Sequence, residues 1–137
     1  MRHAMHGLDG VLDLVGDRWT LAVVASLLDG PQRFGELQQR IDGIAPNILT
    51  QRVRQLEQHG LVISRPYSRR PLRVSYELTA SGESLRPVVD VLQLWAAQRE
   101  GRPTPTHDAC GTGLEVRLWC PTCERVVDPD HDELHHL

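Results

Sequence analysis

Several features that would place this chain in a familiar class are missing from its 137 residues. No apolar run reaches the roughly 18 residues that a membrane-spanning helix requires, so no such helix is expected. Residues 1–6 carry charge and histidine with no apolar segment after them, which predicts no secretory signal and a cytoplasmic protein. A nucleophile, a base and an orienting partner do not occur together, so the sequence does not predict an enzyme.

Lysine is also absent, since all 15 basic residues are arginine. A GC-rich genome would produce this bias as readily as selection for arginine contacts. The net charge of −3 gives no general argument for binding nucleic acid. Between residues 44 and 76, however, six arginines accompany one acid, Glu57, for a local charge of +5 that leaves −8 elsewhere. Such a concentration of positive charge is what phosphate binding needs.

Cysteine is absent from the first 109 residues, and the three cysteines lie at positions 110, 120 and 123. An odd, clustered set in a chain without a secretory signal favours metal binding over a disulfide framework.

The segment from Pro46 to Thr79 has the pattern of a helix followed by a basic hairpin. Pro46 suits a first helical position, and Leu49, Val53 and Leu56 then form one apolar stripe on a helix over residues 46–59. Residues 61–67 and 72–78 alternate like two half-buried strands around an arginine-rich turn. A helix that can enter a major groove beside a basic wing over residues 65–73 predicts a DNA-binding winged helix.

Three shorter helices are predicted before this segment. Residues 8–15 form an amphipathic helix, Asp17 is a plausible N-cap for a buried helix over residues 18–28, and residues 36–41 form a third. Residues 32–34 could be a short strand. The third helix and the helix at residues 46–59, joined by a tight turn, have the helix-turn-helix layout.

Four motifs follow one another in the first 79 residues: Gly16-Asp17-Arg18-Trp19-Thr20, Arg33-Phe34-x-Glu36-Leu37, Leu49-Thr50-x-Arg52-Val53-x-x-Leu56 and Tyr76-x-Leu78-Thr79. In this order they resemble the HxlR family of small bacterial winged-helix transcriptional regulators, which are related in fold to the MarR group. The resemblance covers about residues 6–97, and it implies a homodimer on a palindromic operator, with helix 46–59 in the major groove and the wing on the flanking minor groove or backbone. Two departures are His6, where many members carry a cysteine, and Ala45, where a capping serine is common.

Eight residues are candidate DNA contacts. Gln51 can pair bidentately with adenine and Arg54 with guanine, whereas Asn47 and Thr50 could serve a base or a phosphate. The alternative is that these side chains are merely solvated. Arg52 lies nearer the buried edge of the helix and could be structural. The wing candidates are Arg65, Arg69, Arg70 and Arg73.

A long last helix after Thr79 carries an apolar stripe, with a kink or a late start expected at Pro87. Packing against the first helix of a second copy would bury this stripe, although both stripes could instead pack within one chain. Trp19, Leu92 and Trp95 could line a pocket for a small-molecule effector, or could be ordinary core. The predicted dimer interface comprises Leu8, Val11, Leu12, Leu85, Val88, Val89, Leu92 and Trp95.

The tail reads His107-x-x-Cys110 and, nine residues later, Cys120-x-x-Cys123. Two such turns joined by a strand at residues 115–118 would supply one imidazole and three thiolates to a structural Zn²⁺ site. His131, His135 and His136 are alternative ligands, and incidental thiols without metal are the simpler alternative. A thioredoxin-like site lacks its βαβ surroundings, and a zinc deaminase would need a His-x-Glu that is missing here. The tail carries seven acids and two arginines and should not contact DNA.

Together these patterns predict a mainly α protein with a small β-wing (α+β), a winged helix-turn-helix followed by a short zinc-ribbon-like β segment, and the resemblance implies that it is dimeric. The predicted divisions are a DNA-binding and dimerisation domain at residues 1–100, a linker at 101–106 and the tail at 107–137. The predicted function is a sequence-specific transcriptional regulator, a repressor controlled by a small ligand. The competing class is a zinc-dependent interaction module whose winged helix docks a protein partner.

Overall fold

The computed structural model describes residues 7–134, so His6, His135 and His136 lie outside the described residues. These residues belong to two compact units, Gly7–Val89 and a second unit that begins at Asp90. The division falls within the last helix, before the predicted linker at residues 101–106. Between residues 7 and 134, no helix is long and apolar enough to cross a bilayer.

The first unit contains the predicted helix-turn-helix and wing, and the last helix begins in it. Element ends differ from the sequence predictions by one or two residues in most cases, as expected where helix ends fray. In chain order the elements are α1 (Leu8–Val15), α2 (Thr20–Leu27), β1 (Gln32–Arg33), α3 (Phe34–Arg40), α4 (Pro46–Gln58), β2 (Val62–Arg69), β3 (Leu72–Leu78), α5 (Ala80–Glu83), α6 (Arg86–Arg99), β4 (Leu118–Cys120) and β5 (Arg125–Val127).

Helix α4 lies against the core because its apolar stripe is buried. Leu49, Val53 and Leu56 are at most 2% exposed. Burying a leucine or valine side chain stabilises a fold by about 1.5–3 kcal/mol, so these three contacts largely determine which way α4 faces. The core around them draws on α2, α3, the α3–α4 turn and the start of β2, through Val23, Val24, Leu27, Leu37, Ile41, Ile44, Leu61 and Val62.

The wing is part of a three-stranded antiparallel sheet with the order β1-β3-β2. Strand β1 pairs Gln32 with Tyr76, and so joins the start of α3 to the base of the wing. Gly82 allows the backbone after β3 to pass close to the backbone before β2, because a Cβ at this position would lie 2.1 Å from the Leu61 carbonyl oxygen. The hairpin is therefore held at its base by both neighbouring segments.

The last helix starts late, as Pro87 predicts. The Thr79 hydroxyl accepts a hydrogen bond from the Gly82 N–H (3.2 Å), but the helix that it caps, α5, is only four residues long. Helix α6 then begins at Arg86, which places Pro87 in its first turn, where a missing N–H costs little.

The second unit contains a two-stranded antiparallel sheet, in which Cys120 of β4 pairs with Arg125 of β5. The strand predicted at residues 115–118 is wrong except for its last residue, because β4 covers Leu118–Cys120. Alternation of polar and apolar residues over four positions does not fix the register of a strand when neither face of the strand is buried.

Candidate nucleic-acid interface

Helix α4 presents a continuous polar face on the side opposite its buried stripe. Asn47, Gln51 and Arg54 are exposed, and their spacing of four and three residues places them on one side of the helix. Thr50 is half-buried, and its hydroxyl donates a hydrogen bond to the Pro46 carbonyl oxygen (3.0 Å). The candidate contacts predicted on this helix thus share one exposed face, with Thr50 at its border.

The turn before α4 positions this face without a side-chain cap. Ile41 and Ile44 bury their side chains on either side of Gly43, whose φ of 77° lies in the left-handed region that favours glycine. Ala45 is the N-cap and supplies no side-chain hydrogen bond, as its sequence predicts. The first N–H groups of α4 therefore lack the side-chain acceptor that a capping serine would supply.

Arg52 faces the protein and not the solvent. Its Nε lies 3.3 Å from Asp17 Oδ1, and its Nη1 donates to Gln55 Oε1 (3.2 Å). Asp17 in turn accepts from the N–H groups of Trp19 (2.8 Å) and Thr20 (3.1 Å), and it also bonds the Thr20 hydroxyl. Asp17 thus holds the start of α2 and also anchors α4, which confirms the expectation that Arg52 is structural.

The contacts of Asp17 with Thr20, Trp19 and Arg52 lower the pKa of its carboxyl group. Burial by itself raises the pKa of this carboxyl group, but the hydrogen bonds from Thr20 and Trp19, together with the Arg52 charge, outweigh burial. The net result is a pKa below the ordinary value of 3.8, so Asp17 stays ionised wherever the fold is intact near neutral pH.

The wing is a hairpin whose tip is formed by arginines. Strands β2 and β3 pair from Val62 with Leu78 to Arg69 with Leu72, and a bulge interrupts the register between Pro66 and Ser68. The Ser68 hydroxyl donates to the Pro71 carbonyl oxygen (3.0 Å) across the tip. A bulge adds local twist to a hairpin and re-aims its end.

The arginines on this surface differ in how far their charges are compensated. Arg65 forms an ion pair with Glu77 on the neighbouring strand. By contrast, no carboxylate among residues 7–134 lies within ion-pair distance of the wing residues Arg69, Arg70 and Arg73, or of Arg54 on α4. All four are exposed, so these four charges are available to an anionic partner.

A cleft separates α3 from the wing, and sequence reasoning missed it. It has a volume of about 510 Å³ and is lined by residues that include Phe34, Val74 and Arg73. On its edge, the Arg33 guanidinium stacks over the Tyr67 ring at 4.5 Å from the centroid. An arginine before a helix and a tyrosine in a strand carry no spacing signal that would pair them, so only the folded chain reveals this contact.

The apolar residues predicted to form a dimer interface divide into two sets. Leu85 and Val89 pack against the core of the first unit, whereas Val88 is exposed. On α1, Leu8, Val11 and Leu12 are 46–49% exposed. Beyond Val89 on α6, Leu92 and Trp95 are 45% and 57% exposed, while Trp19 on the first unit packs against the core.

In the tail, the predicted metal ligands come together as two pairs. Cys110 Sγ lies 3.5 Å from His107 Nδ1, and Cys120 and Cys123 share a side-chain hydrogen bond. Within the part of the chain that the structure describes, no three histidine, cysteine or acidic side chains assemble into one metal-binding group. Among the alternative ligands, His131 lies 2.8 Å from the Asp128 carboxylate.

The thiols of both pairs are perturbed by hydrogen bonds. The hydroxyl and the N–H of Thr112 lower the pKa of Cys110. The backbone N–H and the side chain of Cys123 and the Thr122 N–H lower the pKa of Cys120, and the bond to Cys120 raises the pKa of Cys123. Each pair thus contains one thiol whose pKa is lowered by its hydrogen bonds.

Comparison with known proteins agrees with the architecture of the first unit. The HxlR-like helix-turn-helix family model matches residues 14–103. An uncharacterized HTH-type transcriptional regulator of Mycobacterium tuberculosis H37Rv, Rv3095, is 37% identical over 121 residues, which cover 85% of this chain and 76% of that protein. The HTH-type transcriptional regulator YodB of Bacillus subtilis is 34% identical over 91 residues, or 66% of this chain and 81% of YodB.

Solved structures give the same result. The reduced form of YodB superposes with a TM-score of 0.59 at 34% identity, covering 72% of this chain and 93% of that one. A structure from Enterococcus faecalis V583, described as a regulator of the MarR family, superposes with a TM-score of 0.61 at 31% identity, covering 74% of this chain and 94% of the other. These relatives are transcriptional regulators, which is a non-enzyme class. This chain therefore belongs to the HxlR-like helix-turn-helix family and is a transcriptional regulator with a DNA-binding winged helix of the HxlR and MarR type.

Proposed function

We propose that this regulator binds a palindromic operator as a homodimeric repressor, with α4 in the major groove and the wing on the flanking backbone or minor groove. The observation that carries the proposal is a set of four exposed arginine charges that have no acidic partner among residues 7–134, Arg54 on α4 and Arg69, Arg70 and Arg73 on the wing. A protein surface that neutralises phosphates gains affinity by releasing counterions from DNA.

Base recognition comes from the exposed face of α4. Arg54 offers a bidentate donor pair for guanine O6 and N7, and Gln51 offers a donor and an acceptor for adenine. Asn47 lies nearer the helix start and is suited to a base or a phosphate. Thr50 already donates its hydroxyl proton to Pro46, so it takes part as an acceptor. Specificity therefore rests mainly on Gln51 and Arg54.

Phosphate contacts come from the wing, and its arginines contribute unequally. Arg69, Arg70 and Arg73 can each neutralise a phosphate without breaking an existing ion pair. Arg65 can do so only if its ion pair with Glu77 breaks, and its contribution to the affinity for DNA is therefore smaller. This contrast supplies a matched control for substitutions on the same surface.

Dimerisation uses the apolar side chains that the single chain leaves exposed. On α1 these are Leu8, Val11 and Leu12, and on α6 they are Val88, Leu92 and Trp95. Burying them against a second copy stabilises the pair at about 25 cal/mol per Å² of apolar surface. A two-fold dimer presents its two α4 helices to half-sites one helical turn of DNA apart, about 34 Å.

Control by a small molecule is part of the proposal. YodB has been solved in quinone-bound and diamide-treated forms. No thiol near the N-terminus can react with a quinone or with diamide in this chain, because no cysteine precedes Cys110. A ligand in the open cleft between α3 and the wing would contact Arg73 of the wing. A reversible ligand in that cleft would alter DNA binding directly.

The test is binding of the purified protein to the intergenic DNA upstream of its own gene across a salt series. We expect specific retardation with a steep dependence on salt concentration. Arg54→Ala should relax discrimination at one operator position, a change of about 1–3 kcal/mol. Arg65→Ala removes the same charge at a compensated position and should retain that discrimination.

Two further outcomes decide the proposal. Binding no tighter than to bulk DNA at low salt would contradict operator recognition and favour a winged helix that docks a protein partner. Deletion of the gene should raise transcription from the bound promoter, and a fall in transcription would identify an activator instead.

A further inference from the structure

The second unit contains two hairpin tips that the proposed DNA-binding function does not use. In the first tip, an antiparallel bridge joins Thr106 to Gly113, and the His107 N–H donates to the Thr112 carbonyl oxygen (2.9 Å). In the second tip, Cys120 pairs with Arg125 across β4 and β5. Each tip is therefore a six-residue turn whose first and last residues are paired.

The two tips carry their potential metal donors at the same places. Both the first and the fourth residue of each turn are donors, His107 and Cys110 in one tip, Cys120 and Cys123 in the other. The fifth residue has a left-handed backbone in both, with φ of 69° at Gly111 and 50° at Glu124.

The left-handed residue in the second tip is informative because it is not glycine. Among residues 7–134, Glu124 is the sole non-glycine residue with a positive φ. This conformation is unfavourable for a side chain other than glycine, asparagine or aspartate, and it persists where the surrounding turn imposes it. The shape of the turn, rather than a glycine, is what the two tips share.

In each tip, backbone N–H groups point at a donor sulphur. The Thr112 N–H donates to Cys110 Sγ, and the N–H groups of Thr122 and Cys123 donate to Cys120 Sγ. Such bonds fix the direction in which a sulphur points. His107 Nδ1 faces Cys110 Sγ at 3.5 Å, so the imidazole is placed beside the thiol with which it would share an ion.

The tail has little apolar core of its own. Six of its large apolar side chains are 37–59% exposed. A segment this small usually needs a disulfide, a metal ion or a partner to hold its structure. These exposed residues are Leu114, Val116, Leu118, Trp119, Val126 and Leu134.

We propose that His107, Cys110, Cys120 and Cys123 bind one Zn²⁺ ion as a closed, four-coordinate structural site that joins the two hairpin tips. One imidazole and three thiolates are a common tetrahedral zinc set, with Zn–S distances of about 2.3 Å. The described residues hold the donors as two separate pairs, so the ion would draw the tips together by reshaping the link between them. The thiol protons leave to solvent on binding.

This site is independent of the proposed DNA-binding function. Its four donors lie beyond residues 14–103, the span of the family match. Failure of one proposal therefore does not imply failure of the other, since zinc content and operator binding are separate measurements.

The test is the zinc content of the full-length protein. Protein purified under reducing conditions is incubated with ZnSO₄, dialysed against a weak chelator and measured by elemental analysis. We expect one zinc per chain in the wild type, and loss of this zinc in Cys110→Ser, Cys123→Ser and His107→Ala. The control is the triple variant His131→Ala/His135→Ala/His136→Ala, which should retain one zinc per chain.

Cobalt provides a second readout that reports the ligands directly. Co²⁺-loaded wild-type protein should show thiolate-to-cobalt charge-transfer absorption and tetrahedral d–d bands, and Cys110→Ser should weaken the charge-transfer absorption. The helical circular dichroism of each variant shows that the winged helix is still folded.

Three results would overturn the proposal. The first is wild-type protein that retains no zinc, and the second is stoichiometric retention after Cys110→Ser. The third is zinc lost from the triple-histidine variant but kept in His107→Ala, which would assign the imidazole ligand to the end of the chain.

Discussion

Arg52 and Arg54 are two residues apart on α4 and have opposite surroundings. A helix turns by about 100° per residue, so two residues place these side chains on different faces. Arg52 is held by Asp17 and Gln55, whereas Arg54 points to solvent without an acidic partner among the described residues. A single helix thus carries one arginine that fixes its position and another that is available to DNA.

Asp17→Ala should destabilise the fold at neutral pH. The N-cap of α2 is Trp19 and not Asp17, which lies just before it and accepts the N–H groups of Trp19 and Thr20. The substitution removes this acceptor and the ionic partner of Arg52, and loss of a side-chain acceptor at a helix start typically costs about 1 kcal/mol. The measurement is urea unfolding followed by circular dichroism at a fixed protein concentration. Asp13→Ala, which removes an exposed acid from α1, is the control and should change the free energy of unfolding little.

The pH dependence of that difference follows from the lowered pKa of Asp17. Because the folded pKa lies below the unfolded value of 3.8, the stabilisation is complete above 3.8 and is lost as the pH falls through the folded pKa. The wild type and Asp17→Ala should therefore converge in acid. If the difference in the free energy of unfolding grew as the pH fell, the stabilising role of the ionised Asp17 carboxylate would be contradicted.

The wing places its charges where contact with another molecule costs little. A hairpin tip is already exposed, so bringing Arg69 and Arg70 to a phosphate requires no opening of the core. The base of the same hairpin is paired with β1, and the Arg33 guanidinium stacks over Tyr67 nearer the tip. The wing is thus a positioned element and not a free loop.

The double variant Arg69→Ala/Arg70→Ala should weaken DNA binding about equally for all sequences. Two phosphate contacts account for about 1.8 in the slope of log K against log salt, so the slope should become shallower by one to two. The control is Arg102→Ala/Arg117→Ala, which removes the same charge from arginines already paired with Glu100 and Glu115. An equal change of slope in the control would mean that net charge, rather than the wing, governs binding.

At the scale of the whole chain, the two signs of charge lie on different segments. The winged segment at residues 44–76 carries +5, and the tail from His107 onward carries −5. The acidic tail is repelled by the DNA phosphates, so it does not extend the DNA-binding surface. Assembly, by contrast, should depend on the apolar side chains of α1 and α6.

Trp95→Glu should convert the dimer to a monomer and weaken binding to a palindromic operator far more than binding to a half-site. The physical reason is that a carboxylate in an apolar interface is left without a partner when it is buried. Trp119→Glu is the matched control, since Trp95 and Trp119 are 57% and 59% exposed. Light scattering after gel filtration reports the mass, and a monomeric Trp119→Glu protein would instead implicate the tail.

Much of the fold could be predicted because short-range patterns specify it. Pro46 and the stripe of Leu49, Val53 and Leu56 predict the start and the buried face of α4, and both predictions are confirmed. Pro87 predicts the late start of α6 in the same way. The tail strand was placed wrongly because alternation over four residues, with no buried face, carries little information on register.

The sequence by itself determined the family and the helix-turn-helix followed by a basic hairpin, because helical periodicity, turn residues and local charge act over a few neighbouring positions. Only the tertiary structure decided which arginines are free. Arg52 and Arg65 are compensated by Asp17 and Glu77, which lie 35 and 12 positions away along the chain. It also revealed that the two hairpin tips share one backbone shape. Ion pairs and turn shapes of this kind form between segments that only folding brings together.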